Sequence, residues 1–147
     1  HRNYMRLDEE NTFRIPLFIY DPSDERKAFV TSPVSQLDIM NTILYYSGFN
    51  ASMVSYGVNL KDSVLDHNRT VFTKTNTAIY EAINDQYVLG FDAVNAKPVY
   101  LYNYKTDPEK KNNLIKQSRM AGTEKLIAEM EAFLQTASKH FRNKTVN

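Results

Sequence analysis

The sequence predicts an α/β protein that takes an α+β arrangement within these 147 residues. First, residues 15–20 are apolar on both faces, which is typical of an interior strand in a covered sheet. Second, a capped amphipathic helix follows, so the two make half of an α/β unit. Third, four β-rich segments between residues 70 and 104 precede another amphipathic helix. These predict a four-stranded antiparallel sheet covered by C-terminal helices.

Composition bounds the function without assigning one. The length suits a single core, the net charge is +1, and cysteine is absent. A balanced charge gives no case for nucleic acid as a partner, and the lack of cysteine excludes disulfides and thiolate metal sites. No apolar run is long enough to span a membrane, and no signal peptide is seen. The chain opens at His1, which leaves open a fragment or a processed product.

The N-terminal part contains a strand, a turn and a helix. Pro16 is tolerated because it stands at the start of the predicted strand, and residues 21–24 (DPSD) are a turn signal. Ser35 is a suitable N-cap, Asp38 stands close to a capping-box position, and Gly48 is placed to end the helix. An apolar stripe at helical spacing completes the pattern: Leu37, Ile39, Met40, Ile43 and Leu44.

The C-terminal part changes to a period of two. Strands are predicted at residues 71–73, 77–83, 87–91 and 99–104, with a hairpin turn at Asn84-Asp85. A helix is predicted from Asp107 as N-cap, with Pro108 at its first position. A longer helix follows Gly122 and is capped by Thr123. Its apolar stripe is predicted to cover the sheet: Leu126, Ile127, Met130, Phe133, Leu134, Ala137 and Phe141.

Tyrosine is abundant, with ten residues against no tryptophan. In the last strand Tyr100, Tyr102 and Tyr104 share one face, which we expect to be partly exposed. Such a face is typical of half-buried strands, and it also suits stacking on sugars or bases.

Local chemistry alone assigns no reaction. The three histidines, His1, His67 and His140, lack the close spacing of a metal site. His140 is expected at the surface near a helix C-terminus, and His67 in an exposed turn. The acidic cluster at residues 8–10 favours a solvated face. Glycosylation sequons occur at three positions and are expected by chance in an Asn-rich chain: Asn50, Asn68 and Asn143.

Four stretches, in chain order, resemble motifs of one enzyme superfamily. Glu10 with residues 14–17 (RIPL) resembles the Arg-x-Pro strand segment of sulfatases and their relatives, and residues 35–44 (SQLDIMNTIL) resemble the helix that follows it. Residues 56–60 (YGVNL) resemble the next turn. Residues 101–114 (LYNYKTDPEKKNNL) resemble the C-terminal Asp-Pro-x-Glu-x-x-Asn-Leu motif. The chain therefore resembles the C-terminal part of a sulfatase-like protein of the alkaline phosphatase superfamily.

The resemblance implies a fold and a metal. Residues 1–60 would end an alkaline-phosphatase-like α/β sheet, and residues 61–147 would form an antiparallel-sheet subdomain with C-terminal helices. The parent would hold a divalent cation (calcium, manganese or zinc) that activates the nucleophile and neutralises anionic oxygens. His1-Arg2 resembles the end of the family's Asp-His-Arg motif, which makes His1 the candidate metal ligand. The family's nucleophile and other ligands lie upstream, so no catalytic residue is expected here.

Two departures from the family pattern point to a branch. Asn41 stands where the helix usually has proline, and Met5 stands where sulfatases tend to have lysine. These favour resemblance to the lipoteichoic-acid synthase and phosphoglycerol transferase branch.

The resemblance implies the C-terminal portion of a metal-dependent hydrolase or transferase acting on sulfate or phosphate esters, inactive as an isolated chain. The parent would be extracytoplasmic, at the periplasm or cell surface, with a membrane anchor in some members. Expected partners are the N-terminal remainder of the parent and the ester substrate, with self-association through core surface at residues 15–20 and 37–44. Two alternatives from another class stay open: a non-catalytic module that binds glycans through the tyrosine face, and a structural interaction domain.

Overall fold

The computed structural model describes residues 16–24, 31–49, 54–63, 69–75, 78–117 and 122–144, with residues 62, 63, 141, 143 and 144 described by their backbone alone. The chain divides into two units, residues 1–31 and 32–147, and the described helices and strands all belong to the second. The predicted division near residue 60 stays a prediction. In chain order the elements are α1 (Leu37–Tyr46), α2 (Leu60–Ser63), β1 (Val71–Lys74), β2 (Ile79–Ile83), β3 (Tyr87–Asp92), β4 (Lys97–Asn103), a short 3-10 helix (Leu114–Lys116) and α3 (Thr123–Lys144).

The four strands form one antiparallel sheet in the order β1-β2-β3-β4, as the period-two segments predict. Across its centre Leu89 lies opposite Ala82 on one side and Leu101 on the other. The β2–β3 connection is a hairpin turn in which the side-chain Oδ1 of Asn84 accepts hydrogen bonds from the backbone of Gln86 and Tyr87. The predicted turn at Asn84-Asp85 is therefore confirmed.

Helix α3 covers one face of the sheet, and the side chains buried between them form the hydrophobic core. Leu126 and Met130 are fully buried against a set of equally buried sheet residues, Ala82, Leu89, Phe91 and Leu101. Further along α3 the ring of Phe133 stacks on that of Phe72, with centroids 4.5 Å apart. Fully burying a leucine or methionine side chain contributes about 1.5–3 kcal/mol. The predicted role of the α3 stripe as a cover for the sheet is confirmed for Leu126, Ile127, Met130, Phe133 and Leu134, while the side chain of Phe141 lies outside what the structure describes.

Helix α1 begins one residue later than the predicted Ser35 cap implies, since Gln36 stands at the N-cap position and makes no side-chain capping bond. The bonds around Ser35 form nonetheless: its Oγ accepts a hydrogen bond from the Leu37 N–H, and the Asp38 carboxylate accepts one from the Ser35 N–H. At the other end Gly48 adopts φ of 71°, a left-handed conformation that glycine reaches without strain. The turn at residues 21–24 also forms, because the Asp24 N–H donates to the Asp21 carbonyl.

The strand predicted at residues 15–20 does not form. Ile15 lies outside the described residues, and residues 16–20 have no regular secondary structure. A strand requires a neighbour to which its backbone hydrogen-bonds. Within the described part of the chain, the only sheet contains β1 to β4 and no strand pairs with residues 16–20.

The helix predicted from Asp107 is also wrong. Pro108 and Glu109 form a single turn, and Lys110 at φ of 51° leaves the helical region of backbone conformation. Only a short 3-10 helix follows at Leu114–Lys116. The local reason is that residues 108–113 (PEKKNN) have no apolar stripe, so a helix there would bury nothing.

In the described part of the chain, no helix is long and apolar enough to cross a membrane.

Candidate functional site

The residues behind the sequence resemblance form two hydrogen-bonded clusters. The first, which we name the helix clamp, joins α1 to residues 57–60 and to Arg69. The second, which we name the strand clamp, joins β4 to residues 107–116. Both clusters consist mainly of side chains that bind backbone groups. The side chains that carry the resemblance in this part of the chain therefore hold its helices, strands and loops in place.

Asp38 is the centre of the helix clamp and is fully buried, at 0% exposure. Its Oδ2 accepts a hydrogen bond from the Ser35 N–H at 2.6 Å. Its Oδ1 accepts from the Val58 N–H at 2.9 Å and from the Arg69 Nη2 at 2.5 Å. A carboxylate that loses water needs such donors, and one of them is charged. Because Arg69 lies two residues before β1, this ion pair ties α1 to the sheet.

Two further polar residues on the same face of α1 complete the helix clamp. The Asn41 Nδ2 donates to the Gly57 carbonyl at 2.5 Å. The Thr42 Oγ1 accepts from the Leu60 N–H at 3.1 Å and donates to the Asp38 carbonyl. Asn41 is the position at which the resembled family has proline, and a proline could not make this bond. Asparagine at this position therefore adds a hydrogen bond that links α1 to residues 57–60.

Gly57 lets the backbone of this turn approach α1 closely. A Cβ at Gly57 would lie 2.0 Å from the Leu37 carbonyl oxygen, a distance that no side chain tolerates. Next to it, Tyr56 contacts α3, since its ring meets that of Phe133 edge-on with centroids 5.6 Å apart. Residues 56–60 therefore connect α1 to α3.

Two polar atoms of the helix clamp have no hydrogen-bond partner among the described residues. The Oδ1 of Asn41 and the Nη1 of Arg69 are both buried and unsatisfied. Buried groups of this kind are uncommon, because each costs about 1–3 kcal/mol. They mark the polar side of α1 as a place where hydrogen bonding is not complete within the described residues.

Helix α1 is inverted relative to an ordinary amphipathic surface helix. Its polar residues Asp38 and Thr42 are buried in the helix clamp, while the predicted apolar stripe faces outward. Met40 is 51% exposed and Ile43 is 61% exposed. A groove of about 420 Å³ runs along this outer face, lined by Gln36, Ile39, Met40, Ile43 and Leu44. Contiguous exposed apolar surface of this kind is typical of an interface.

The strand clamp protects β4, which is an edge strand of the sheet. The Asn113 side chain acts like a short strand, since its Oδ1 accepts from the Leu101 N–H at 3.1 Å and its Nδ2 donates to the Val99 carbonyl at 3.3 Å. The same Oδ1 caps the 3-10 helix by accepting from the Ile115 N–H. Covering an edge in this way limits its pairing with other chains.

Asp107 holds the loop that brings Asn113 to the sheet. Its carboxylate accepts hydrogen bonds from the backbone of Lys111 and Asn112, at 3.1 and 2.7 Å. The Asp107 N–H in turn donates to the Asn103 carbonyl at the end of β4. Asp107, predicted as a helix N-cap, therefore accepts hydrogen bonds from the backbone of a loop. Both Asp107 and Asn113 of the resembled motif bind backbone groups.

The tyrosine face of β4 is partly exposed, as expected. Two of the three tyrosine hydroxyls are already engaged: Tyr100 donates to the Glu81 carboxylate, and Tyr104, in the turn just after β4, donates to the Asn84 carbonyl, each at 2.5 Å. The ring of Tyr100 also lies across Gly90, where a Cβ would be 2.2 Å from it. Two of the three rings therefore have structural roles on the sheet.

The predicted metal ligand and most of the histidines cannot be placed. His1 and His67 lie outside the described residues, as do the acidic cluster at residues 8–10 and the sequons at Asn50 and Asn68. His140 packs edge-on against Tyr56, with ring centroids 6.4 Å apart. Within the described ranges, no three His, Asp or Glu side chains come together in a way that could hold a metal ion.

Two features of this region are not predictable from the sequence pattern. Arg69 is the charged partner of Asp38, but its only signal is that a basic residue precedes the first strand of the sheet. The orientation of α1 is the second feature. A helix with one apolar and one polar face gives no information about which face its own chain covers.

Comparison with known proteins gives distant structural likenesses and no sequence family. No family model matches the chain, and no curated protein matches it. Among solved structures, the chain is similar to BT4656 in complex with its substrate D-glucosamine-2-N,6-O-disulfate, with a TM-score of 0.42 and 16% sequence identity. The match covers 75% of this chain and 24% of the BT4656 chain. The chain thus spans about a quarter of that protein, and a likeness at this level does not assign it an activity.

Proposed function

We propose that this chain is the C-terminal portion of a sulfatase-like, metal-dependent hydrolase or transferase that acts on sulfate or phosphate esters. Its part in that enzyme is structural: it covers one side of the catalytic core and completes the fold with the antiparallel sheet. The motif resemblance supplies the family, and the phosphoglycerol transferases of the lipoteichoic-acid synthase type are the alternative within it. The parent is extracytoplasmic in this proposal.

One observation supports the proposal most directly, the inverted orientation of α1. A helix whose polar face is held by its own chain has its apolar face left for another element. That face carries no charged residue, and the groove lined by Ile39, Met40 and Ile43 runs along it. An uncharged, apolar partner fits it, such as one face of the sheet in the N-terminal remainder of the parent.

The catalytic chemistry belongs to the parent in this proposal. The described residues offer no metal-ligand cluster, so no step of ester cleavage is assigned to them. The divalent cation would be calcium, manganese or zinc and would be held chiefly by upstream residues, with His1 as this chain's proposed ligand. Its chemistry would be activation of the nucleophile and charge neutralisation at the ester.

The test is reconstitution with the upstream part of the parent. The 147-residue chain alone, supplied with each metal, should turn over neither aryl sulfate nor aryl phosphodiester substrates. Co-expression with the upstream part should give turnover, and the ratio of the two activities separates sulfatase from phosphoglycerol transferase. The Met40→Lys and Ile43→Lys variants should lower assembly, while Lys111→Ala, on an exposed side chain, serves as the matched control. Turnover by the isolated chain would refute the proposal.

The glycan-binding alternative is tested by Tyr102→Ala. This tyrosine is chosen because the hydroxyls of Tyr100 and Tyr104 already have partners within the sheet. Saturable binding on a glycan array that the variant loses would favour the binding module. Binding that is absent, or unchanged in the variant, would count against it.

A further inference from the structure

The C-terminal end of α1 carries two tyrosine rings set at right angles, which we name the aromatic corner. The ring centroids of Tyr45 and Tyr46 lie 5.8 Å apart, and the two ring planes make an angle of 90°. Both side chains reach solvent, with exposed fractions of 46% and 41%. Neither ring belongs to the hydrophobic core between α3 and the sheet. The aromatic corner is therefore open to a ligand from solution.

A cation already lies on the aromatic corner. The Nζ of Lys61, from α2, is 5.0 Å from the ring centroid of Tyr46 and 5.8 Å from that of Tyr45. Both distances are within the range of about 6 Å in which a ring face attracts a positive charge. Since one ammonium group contacts both rings, the corner has the spacing to receive a cation.

The end of the helix adds a second attraction for positive charge. The last turn of α1 contains no basic residue, so the partial negative charge of its carbonyl groups is not offset within the helix. The carbonyl groups of Ile43, Leu44 and Tyr45 already accept backbone hydrogen bonds. They attract a further cation by charge more than by directed hydrogen bonds. A cation that needs no hydrogen bonds therefore suits this position better than a primary ammonium does.

We propose that the aromatic corner is a binding site for a quaternary ammonium group, and that Lys61 occupies it when no ligand is bound. A trimethylammonium group has a full charge but no N–H, and pairs of aromatic rings are a known type of receptor for such groups. The lysine ammonium is strongly hydrated and lies on a flexible stem, so it can return to solvent when a ligand enters. This binding is independent of the enzymatic role proposed above.

The experiment is an NMR titration of the full 147-residue chain with choline chloride. The N-methyl protons of choline should shift upfield because they would lie over the ring faces, and the side-chain protons of Lys61 should shift downfield as they leave the rings. Tyr46→Leu should abolish saturable binding, whereas Tyr46→Phe keeps the ring and should retain it. Tyr102→Leu, which removes a half-buried tyrosine of the sheet, is the matched control and should leave binding unchanged.

Lys61→Ala tests the site with both rings left in place. It should lower the Kd for choline by about fivefold, which corresponds to ~1 kcal/mol, the contribution of an exposed cation–π contact. The neutral carbon isostere of choline, with a tert-butyl group in place of trimethylammonium, should not bind. Binding of the isostere as tightly as choline would overturn the proposal, since apolar contact alone would then explain it. So would the absence of choline binding in both the parent chain and Lys61→Ala.

Phosphatidylcholine vesicles identify the source of the quaternary ammonium group. Co-sedimentation with these vesicles that free choline competes away would support the proposal with a lipid head group as the ligand. Choline binding without co-sedimentation would support it with a soluble ligand. Co-sedimentation that choline does not reduce and that Tyr46→Leu does not weaken would count against the aromatic corner as the site.

Discussion

At the residue scale the buried ion pair of Asp38 and Arg69 dominates. Asp38→Ala should lower the free energy of unfolding by about 3–5 kcal/mol, because it leaves the Arg69 guanidinium largely buried without its partner. Chemical denaturation measures this directly. Glu109→Ala is the control, since it breaks an exposed ion pair with Lys111 and should cost less than about 1 kcal/mol. Equal effects of the two substitutions would contradict a central role for Asp38.

Gly57 and Gly48 test two different demands on glycine. Gly57→Ala puts a Cβ about 2 Å from the Leu37 carbonyl, so the turn must move away from α1 and the helix clamp must break. Gly48→Ala meets no atom within 4 Å and only strains a left-handed backbone, which costs about 1–2 kcal/mol. We expect Gly57→Ala to be the more destabilising in thermal unfolding. The reverse order would mean that the close approach at Gly57 relaxes easily.

Asp92, at the end of β3, should make the stability of the β3–β4 turn depend on pH. The Asn95 side chain and backbone N–H groups donate to the carboxylate, with a smaller contribution from Val94, and lower the pKa of Asp92 below its ordinary value of 3.8. Because the folded-state pKa is the lower one, this contribution to stability is present above pH 3.8 and is lost as pH falls through the folded-state pKa. An NMR titration should find the pKa of Asp92 closer to 3.8 in Asn95→Ala than in the parent chain. An unchanged pKa would exclude the Asn95 side chain as the main cause.

At the element scale the strand clamp is the feature to test. Asn113→Ala removes two accepted hydrogen bonds and one donated bond at the edge of β4. We expect faster hydrogen exchange at the Leu101 amide and a loss of about 1 kcal/mol, the net value of a typical hydrogen bond. The neighbouring Asn112→Ala is the control, because only the backbone of Asn112 is bonded here. Similar exchange at Leu101 in both variants would show that Asn113 does not protect the edge.

The elements that sequence predicts correctly are those whose signal is local or periodic. The hairpin at Asn84, the bond between the Ser35 N–H and the Asp38 carboxylate, and the four strands all follow from adjacent residues or from a period of two. The helix predicted at Asp107 fails because an N-cap and Pro108 also suit a turn, and no apolar stripe supports a helix there.

The site was less predictable, because it depends on contacts distant in sequence. The sequence predicts Asp38 only as a helix cap, because its partners Val58 and Arg69 lie 20 and 31 residues away. The apolar pattern of residues 15–20 also does not decide whether a strand forms there. An apolar run predicts burial, yet a strand also needs a neighbour to pair with.

At the scale of the whole molecule, both clamps hold elements in place around surfaces that the described residues do not cover. The helix clamp fixes α1 with its apolar stripe outward, and the strand clamp closes one edge of the sheet. Stability within this unit comes from α3 packed on the sheet and from the buried contacts of the helix clamp, above all Asp38 with Arg69. Residues that stabilise the chain and residues that would bind the rest of the parent are therefore separate sets.

Because these two sets of residues are separate, a lysine substitution should have opposite effects on the isolated chain in the two sets. Ile43→Lys should change the stability of the isolated chain by no more than about 0.5 kcal/mol, since Ile43 is 61% exposed. Leu126→Lys should unfold it, because a charge would enter the core between α3 and the sheet. In the full parent protein Ile43→Lys should become destabilising, since its side chain would then face an apolar partner. Circular dichroism melts of both variants in both contexts make the comparison. Unfolding of the isolated chain by Ile43→Lys would show that this face is already covered within the chain.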